Sequence, residues 1–191
     1  MKTPALETSR LYLRPLQAED ALQIQKIFPQ WEIVRHLAAG FPWPFPDDGA
    51  SRYVNMLALP ASAKGLAWFW TIRRKEEPSA MIGLISLSDE KDNNRGFWIV
   101  PEWQRKGYMS EACYVVTDFW FNTLHREFLR TPKARANSAS KKISLNNGMR
   151  LVQNCKKQYI EGELDSELWE ITRQEWNSQK SDQSHSVKGK S

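Results

Sequence analysis

Residues 104–109, Gln-Arg-Lys-Gly-Tyr-Met, form a basic loop with a glycine between two predicted elements. The apolar run 97–100 predicts a strand before the loop, and the amphipathic pattern over 108–124 predicts a helix after it. The first turn of a helix carries backbone N–H groups without intrahelical partners and a partial positive charge, and a glycine lets a ligand come close to the backbone. Arg105 and Lys106 add two full positive charges. The loop is therefore predicted to bind a phosphate or pyrophosphate group.

The elements around this loop are predicted from hydrophobic periodicity and from the positions of proline and glycine. Strands are predicted at residues 10–15, 67–72, 80–87, 96–100, 133–136, 149–155 and 168–173, and helices at 17–28, 47–59, 108–124 and 141–147. Pro132 interrupts the run 128–136, so the strand there is predicted to begin only at Lys133. This order predicts a mixed α/β domain around one central sheet.

Length and composition predict one folded domain over residues 1–176, followed by a polar tail over 177–191 that is predicted to be disordered. The chain has 191 residues, of which 41% are hydrophobic and 12% aromatic, enough for a substantial core. The net charge of +5 suits an anionic ligand such as a phosphorylated cofactor and does not require nucleic acid. A basic nucleic-acid-binding domain is kept as a functional hypothesis, ranked below the two that are given in the following paragraphs.

Cysteine and histidine usage argues against a metal site. The two cysteines, Cys113 and Cys155, form no CxxC pair, and the three histidines are scattered. A disulfide framework is not expected either, so we predict a reducing compartment. No apolar run of about 18 residues exists, and the sequence predicts a soluble, cytoplasmic protein without a membrane partner.

Three stretches in order resemble a known family. Residues 96–112 resemble motif A of the GNAT acyltransferase superfamily, whose usual form is Gln/Arg-x-x-Gly-x-Gly/Ala, and residues 137–149 resemble its second motif. The opening residues, 6–16, resemble the branch that contains the ribosomal-protein N-terminal acetyltransferases. Because three pieces occur at the right spacing over roughly 6–176, the pattern is specific. The resemblance implies an α/β (α+β) fold with a central mixed, mostly antiparallel sheet of about six to seven strands flanked by helices.

The resemblance further implies acetyl-CoA as co-substrate and an amine as acceptor, either a protein N-terminus or a small molecule. Loop N–H groups would hold the CoA pyrophosphate, the pantetheine arm would lie along the strand at 96–100, and a backbone N–H there would stabilise the thioester oxygen. The implied cofactor-binding residues are Ile99, Val100, Gln104, Arg105, Lys106, Gly107, Tyr108, Met109, Ser110 and Asn137. No metal is implied, and the protein would act as a monomer or a homodimer.

Two residues are candidates for the chemistry. Ser140 matches a serine that, in this branch, lies near the CoA sulfur and can protonate it; a helix N-cap is its alternative role. Glu161 is our hypothesis for the base, because it follows the strand at 149–155 where the branch carries acidic residues near the acceptor. Its alternative is a solvated turn carboxylate. The aromatic, proline-rich segment 41–46 is predicted to form one wall of the acceptor site.

Three positions depart from the family pattern. Met109 stands where Gly or Ala is usual, Asn94 where many relatives have a Glu, and Ser144 where many carry a general-acid Tyr. These departures keep a non-catalytic CoA-binding module as the second functional hypothesis. If the Met109 side chain turns into the core, its cost to cofactor binding is small.

Overall fold

Two antiparallel sheets form the centre of the molecule. The computed structural model describes the backbone of residues 1–188 and the side chains of residues 1–180. The first sheet has the order β1-β2-β3-β4-β5, and its strands are Leu6–Glu7, Leu11–Pro15, Ala67–Arg74, Glu77–Ser88 and Arg95–Ile99. The second sheet has the order β6-β8-β7, and in chain order its strands are Phe128–Ala134, Arg150–Tyr159 and Gly162–Thr172. The described residues thus contain one strand more than the upper predicted number, the two-residue β1.

Seven α-helices flank the sheets in the described part of the chain. In order, α1 to α7, they are Ala21–Ile27, Trp31–Val34, Gly49–Arg52, Leu59–Ala63, Tyr108–Asp118, Ser138–Asn146 and Arg173–Lys188. A π-helical turn, Tyr53–Ala58, joins α3 to α4, and a second one, Phe119–Thr123, extends α5. None of the helices described is long and apolar enough to cross a membrane.

The core has one cluster on each face of the first sheet. Side chains alternate along a strand, so neighbours point to opposite faces. On β5, Ile99 packs in the cluster that contains Cys113 and Val116 of α5, whereas Trp98 packs with Phe28 on the face that carries α1 and α3. Burying one such side chain stabilises the fold by about 1.5–3 kcal/mol. The carboxyl end of β5 is therefore held from both faces of the sheet.

The two sheets meet along β5 and β6, and they are joined only at the start of these strands. The Asn94 N–H donates to the Arg130 carbonyl at 2.7 Å, and the Thr131 hydroxyl donates to the Arg95 carbonyl at 3.1 Å. The Arg130 N–H also faces β5, where it donates to Asn94 Oδ1 at 2.8 Å. The backbone groups of every second residue point to the same edge of a strand, so those of Pro132 are directed toward β5, like those of Arg130. Pro132, however, has no N–H to donate.

The strand predicted to begin at Lys133 in fact begins at Phe128 and contains Pro132. The proline is tolerated because its missing N–H would point toward β5 at a level where the two strands have separated, so no ladder hydrogen bond is lost. Beyond Thr131, no hydrogen bond between described residues joins the two strands. A gap therefore opens between β5 and β6 toward their carboxyl ends.

The C-terminal helix α7 packs against α5 and its extension. Trp176 is only 1% exposed, its ring lies 4.9 Å from that of Tyr114, and its indole N–H donates to Asp118 Oδ1 at 3.1 Å. Lys180 Nζ also donates to Asp118, at 2.6 Å. With its first turns anchored in this way, the backbone is helical over 177–188, part of the stretch for which the sequence predicts disorder. Residues 189–191 lie outside the described part.

Candidate functional site

The predicted anion loop lies between β5 and α5. A 3₁₀ turn, Pro101–Trp103, follows β5, and Gly107 is the N-cap of α5 with φ +82°. Arg105 also has a positive φ, of +59°. The first intrahelical bond runs from the Glu111 N–H to the Gly107 carbonyl at 3.0 Å, so the N–H groups of 108–110 precede it and point out of the helix. Left-handed residues in such a loop turn successive N–H groups toward one point, as an anion requires.

The loop is braced by Arg10, which immediately precedes β2 and which sequence reasoning missed. Arg10 Nε donates to Glu111 Oε2 at 2.7 Å, and Arg10 Nη1 donates to the Lys106 carbonyl at 3.1 Å. The guanidinium also lies 4.5 Å from the centre of the Tyr108 ring. Burial alone would raise the pKa of Glu111, but hydrogen bonds from Thr8 and Arg10 together with the Arg10 charge hold that pKa below its ordinary value. Glu111 is thus an ionised anchor that fixes the loop to the sheet.

Two cations stack on Trp103, which stands at the start of the loop. Lys106 Nζ lies 4.3 Å from the centre of its ring, and Arg74 Cζ lies 4.0 Å from it. Such contacts hold a cation in place without neutralising it. Lys106 therefore keeps its charge beside the loop, and Arg105 is exposed at the same place.

Met109 is buried in the main core, against the α5 side of the first sheet. Its side chain therefore does not occupy the space above the loop, and its departure from the family pattern costs little. The Gln104 side chain bridges back to β5, where its Nε2 donates to the Ile99 carbonyl at 3.2 Å. It shapes the end of the strand next to the loop.

The end of β5 presents Ile99, and not Val100, to the gap. The Val100 N–H donates to the Ile82 carbonyl at 2.9 Å, and its carbonyl accepts from the Trp103 N–H at 3.0 Å. By strand alternation, the N–H groups of Phe97 and Ile99 face the gap instead. These two are the donors on β5 that a ligand in the gap can reach.

Helix α6 follows β6, the strand on the far side of the gap from β5. Asn137 is the N-cap, and its Oδ1 accepts from the Ser140 N–H at 3.1 Å. The helix therefore begins at Ser138, earlier than the predicted start at residue 141. Ser140 is buried in the first turn and is not the cap, which removes the alternative role considered for it.

Glu161 lies at the tip of the hairpin between β7 and β8. Its N–H donates to the Arg35 carbonyl at 3.1 Å, and its Oε2 lies 3.4 Å from His36 Nε2. The side chain is 35% exposed. Burial, and next the charge of Arg35, lower the pKa of His36, while Glu161 opposes the shift. The structure thus pairs His36, one of the three scattered histidines, with the proposed base. No contact joins Glu161 to Ser140 among the described residues.

A cavity of about 90 Å³ lies on the face of β5 opposite α5. Its lining is mostly aromatic and aliphatic, and comprises Ile24, Phe28, Leu37, Phe41, Phe45, Tyr53, Leu84, Ser86, Gly96, Phe97 and Trp98. The Leu37 carbonyl accepts from the Ile160 N–H at 3.0 Å, so the tip that carries Glu161 lies next to the cavity. From the segment 41–46, Phe41 and Phe45 line the cavity, whereas Trp43 stacks on Trp31 with ring centres 5.8 Å apart.

Of the two other departures from the family pattern, Asn94 has a structural role and Ser144 is a buried residue of α6. The Asn94 amide donates to the carbonyls of Ser88 and Glu90, at 3.1 and 2.9 Å. Ser144 is fully buried, and its hydroxyl has no hydrogen-bond partner in the described part of the chain. Burial raises the pKa of the Cys113 thiol, which keeps this cysteine protonated and inert. Across residues 1–180, no three side chains of His, Cys, Asp or Glu come together as a metal site.

Comparison with known proteins identifies the family of the chain. A family model described as an acetyltransferase (GNAT) domain matches residues 10–150. The chain is 27% identical over 146 residues to YoaA, an uncharacterized N-acetyltransferase of Bacillus subtilis (strain 168), which covers 76% of this chain and 82% of that protein.

Two solved structures resemble the whole fold. The ribosomal-protein-S5-alanine acetyltransferase from Vibrio fischeri has a TM-score of 0.77 at 19% identity, covering 91% of this chain and 98% of that one. RimL, a ribosomal L7/L12 α-N-protein acetyltransferase in complex with coenzyme A, has a TM-score of 0.71 at 16% identity, covering 88% and 98%. At these identities the likeness concerns the fold, and it confirms the predicted class, a mixed α/β fold with mostly antiparallel sheets flanked by helices.

Proposed function

The chain belongs to the GNAT acetyltransferase family, and on this premise we propose that it is an N-acetyltransferase that moves an acetyl group from acetyl-CoA directly to a primary amine. One observation carries the proposal: the left-handed loop at the start of α5 opens onto the gap between β5 and β6. The loop suits a pyrophosphate, and the gap suits an extended arm that ends in a thioester. A plain structural loop requires neither the positive φ of Arg105 nor the brace from Arg10.

The cofactor would be held mainly by backbone groups. The N–H groups of residues 105–110 would bind the pyrophosphate, with Lys106 and Arg105 supplying charge. Asn137 and Ser140 would border the pantetheine arm from α6. The Ile99 N–H would donate to the thioester oxygen as it gains negative charge during attack. Val100 and Gln104 would shape the end of the strand that the arm follows.

Acetyl transfer also requires a neutral amine held against the thioester. Glu161 would accept the proton of the incoming ammonium, with His36 beside it, and Ser140 would lie near the leaving sulfur. In this arrangement the amine enters from the cavity side of β5, and the acyl group arrives through the gap. The Glu161→Gln variant should lose turnover and the acidic limb of the pH profile; unchanged turnover with an unchanged profile would remove Glu161 from this role.

The acceptor would be a protein N-terminus or a small amine with an apolar neighbouring group. The cavity is lined by Phe41, Phe45 and Trp98, which favour an apolar side chain next to the reacting nitrogen. Two of the structural neighbours are named for acetylating ribosomal proteins. We place the reaction in the cytoplasm, with the enzyme acting as a monomer or a homodimer.

An acceptor screen tests the proposal. The purified chain is incubated with acetyl-CoA and a panel of N-terminal peptides, polyamines and amino acids, and free thiol is followed. Thiol release that depends on one acceptor class supports the enzyme. Stabilisation by acetyl-CoA without turnover on any acceptor would instead support a CoA-binding module. Binding to DNA or RNA that falls steeply with salt, without an effect of acetyl-CoA, would support the nucleic-acid hypothesis.

A further inference from the structure

Lys133 of β6 is a buried cation for which the part of the chain with described side chains, residues 1–180, provides no anion. Its side chain is 7% exposed, and its Nζ lies 4.6 Å from the centre of the Phe97 ring on β5. Among the described residues it has neither a hydrogen bond nor a salt bridge. A lysine is rarely buried to this degree unless it is paired, because removing a charge from water is costly. The position therefore needs an explanation beyond packing.

The charged groups around Lys133 do not neutralise it. Arg95 of β5 is buried beside it and donates only to neutral groups, including Thr117 Oγ1 at 2.7 Å. Glu167 stands directly opposite on β8, but its carboxylate accepts from Lys141 Nζ at 3.0 Å and from the Trp169 indole at 3.2 Å.

Burial is the main cause that lowers the pKa of Lys133, to about 7. The charge of Arg95 lowers it further, and Cys113 of α5 opposes the shift. Near neutral pH both protonation states of Lys133 are therefore populated, which suits a group that transfers a proton.

Lys133 lies at the closed end of the gap. Thr131, two residues earlier, makes the last hydrogen bond to β5, through the Arg95 carbonyl. Phe97 lies two residues after Arg95, so the Lys133–Phe97 contact is the first level at which the strands are separated. A CoA molecule bound as proposed, with its pyrophosphate on the loop at the other end of β5 and its arm in the gap, would direct its sulfur toward this level.

We propose that Lys133 donates the proton that the CoA sulfur takes up when the carbon–sulfur bond breaks. The inference rests on the proposed acetyl transfer. As the new carbon–nitrogen bond forms and the tetrahedral adduct collapses, the electron pair of the carbon–sulfur bond goes to sulfur, and the Lys133 ammonium protonates it. The neutral amine of Lys133 then regains a proton. An acceptor that arrives as an ammonium loses two protons in all: the first passes through Glu161 to solvent and is released, and the second, lost from the tetrahedral adduct, replaces the proton that Lys133 has given to sulfur.

This role gives the buried charge its missing partner for the moment at which a thiolate forms. It also gives Lys133 the role that a general-acid tyrosine has in many relatives, at the position that Ser144 occupies in this chain. Ser140 is the competing donor in the same reaction. The two are separable because a nearby lysine ammonium lowers the pKa of a bound thiol by its charge, whereas a neutral hydroxyl does so only by a hydrogen bond.

The test uses free CoA and needs no acceptor. CoA is bound to the full chain, and its thiol is titrated by the ultraviolet absorbance of the thiolate, with CoA alone in the same buffer as reference. In the unmodified protein the bound thiol should ionise at a pH about one unit or more below that of free CoA. In Lys133→Met it should return to the free value or above, with the CoA dissociation constant changed less than about twofold.

One variant serves as a control. Lys91→Met removes an exposed lysine from the turn between β4 and β5 and should leave the thiol titration as in the unmodified protein. Ser140→Ala tests the competing donor: the lowered thiol pKa should persist in this variant if it depends on the charge of Lys133. Thermal unfolding checks the fold of Lys133→Met, and Lys133→Gln replaces it if the first variant fails to fold.

The outcomes separate the two proposals. A titration in Lys133→Met or Lys133→Gln that matches the unmodified protein, with CoA still bound, overturns the role of Lys133 and leaves the acetyltransferase standing. A shift that disappears in Ser140→Ala but not in the lysine variants also overturns it, in favour of the serine. If the unmodified protein binds no CoA, both the inference and the proposed function fall.

Discussion

Replacing Gly107 by alanine should weaken CoA binding without disturbing the rest of the fold. Gly107 has φ +82°, and a Cβ there would lie 3.3 Å from Arg10 Nη2, the group that braces the loop. A residue with a Cβ loses about 1–2 kcal/mol in this left-handed conformation. The free loop of the variant can relax away from it, whereas bound CoA requires it. The strain therefore reduces the free energy of CoA binding by about this amount, and the CoA dissociation constant measured by calorimetry should rise about 5–30-fold.

Two further variants isolate this effect. Gly65, in the turn after α4, has φ +69°, and its Cβ would lie 3.3 Å from the Met1 nitrogen, so Gly65→Ala introduces comparable strain away from the loop. It should lower the melting temperature and leave CoA affinity unchanged. Gly107→Asn should restore most of the affinity, because asparagine adopts left-handed backbone angles more readily. Equal CoA affinities for Gly107→Ala and the unmodified protein, or an equal loss in Gly65→Ala, would refute the reasoning.

Three other predictions concern the anchor of the loop, the C-terminal helix and the cavity. Glu111→Gln should destabilise the protein at neutral pH by about 1.5–3 kcal/mol, since hydrogen bonds to a charged group are lost. The pKa of Glu111 is lowered in the folded protein, so this stabilisation is present above the ordinary glutamate pKa. In thermal scans the difference between the variant and the unmodified protein should vanish as the pH falls through the lowered pKa. Trp176→Ala should cost about 3–5 kcal/mol in denaturant unfolding, because the indole is buried. Phe41→Ala should raise the acceptor KM and leave acetyl-CoA affinity intact. Trp43→Ala, which changes an exposed ring outside the cavity, should change neither the acceptor KM nor the acetyl-CoA affinity, and the opposite ranking would show that the acceptor binds along the outer surface.

Local features of the site were predictable from the sequence because they depend on neighbours along the chain. The strand, the basic glycine loop and the helix around Gly107 follow from periodicity and from a residue that tolerates positive φ. The brace was not predictable in this way. Arg10 and Glu111 are separated by 101 positions, and a single sequence contains no signal that pairs them.

Burial and strand pairing set the other limits of prediction. Pro132 was read as a strand breaker, and only the position of the β5 edge shows that its missing N–H costs nothing there. His36 gains its meaning from the docking of the β7–β8 hairpin, which is invisible from spacing. Lys133 looks like any strand lysine until its neighbours Arg95 and Phe97 are known.

Asn94 explains how a residue that departs from the family pattern can still serve the reaction. A glutamate at this position could accept the Arg130 N–H, but only an amide can also donate to the carbonyls of Ser88 and Glu90. The amide thus fixes the point where β5 and β6 meet, and the gap opens from there. Because Asn94 cannot take a proton, proton transfer must fall to groups elsewhere around the gap. Glu161 on the cavity side and Lys133 at the closed end are the titratable groups that our two proposals assign to it.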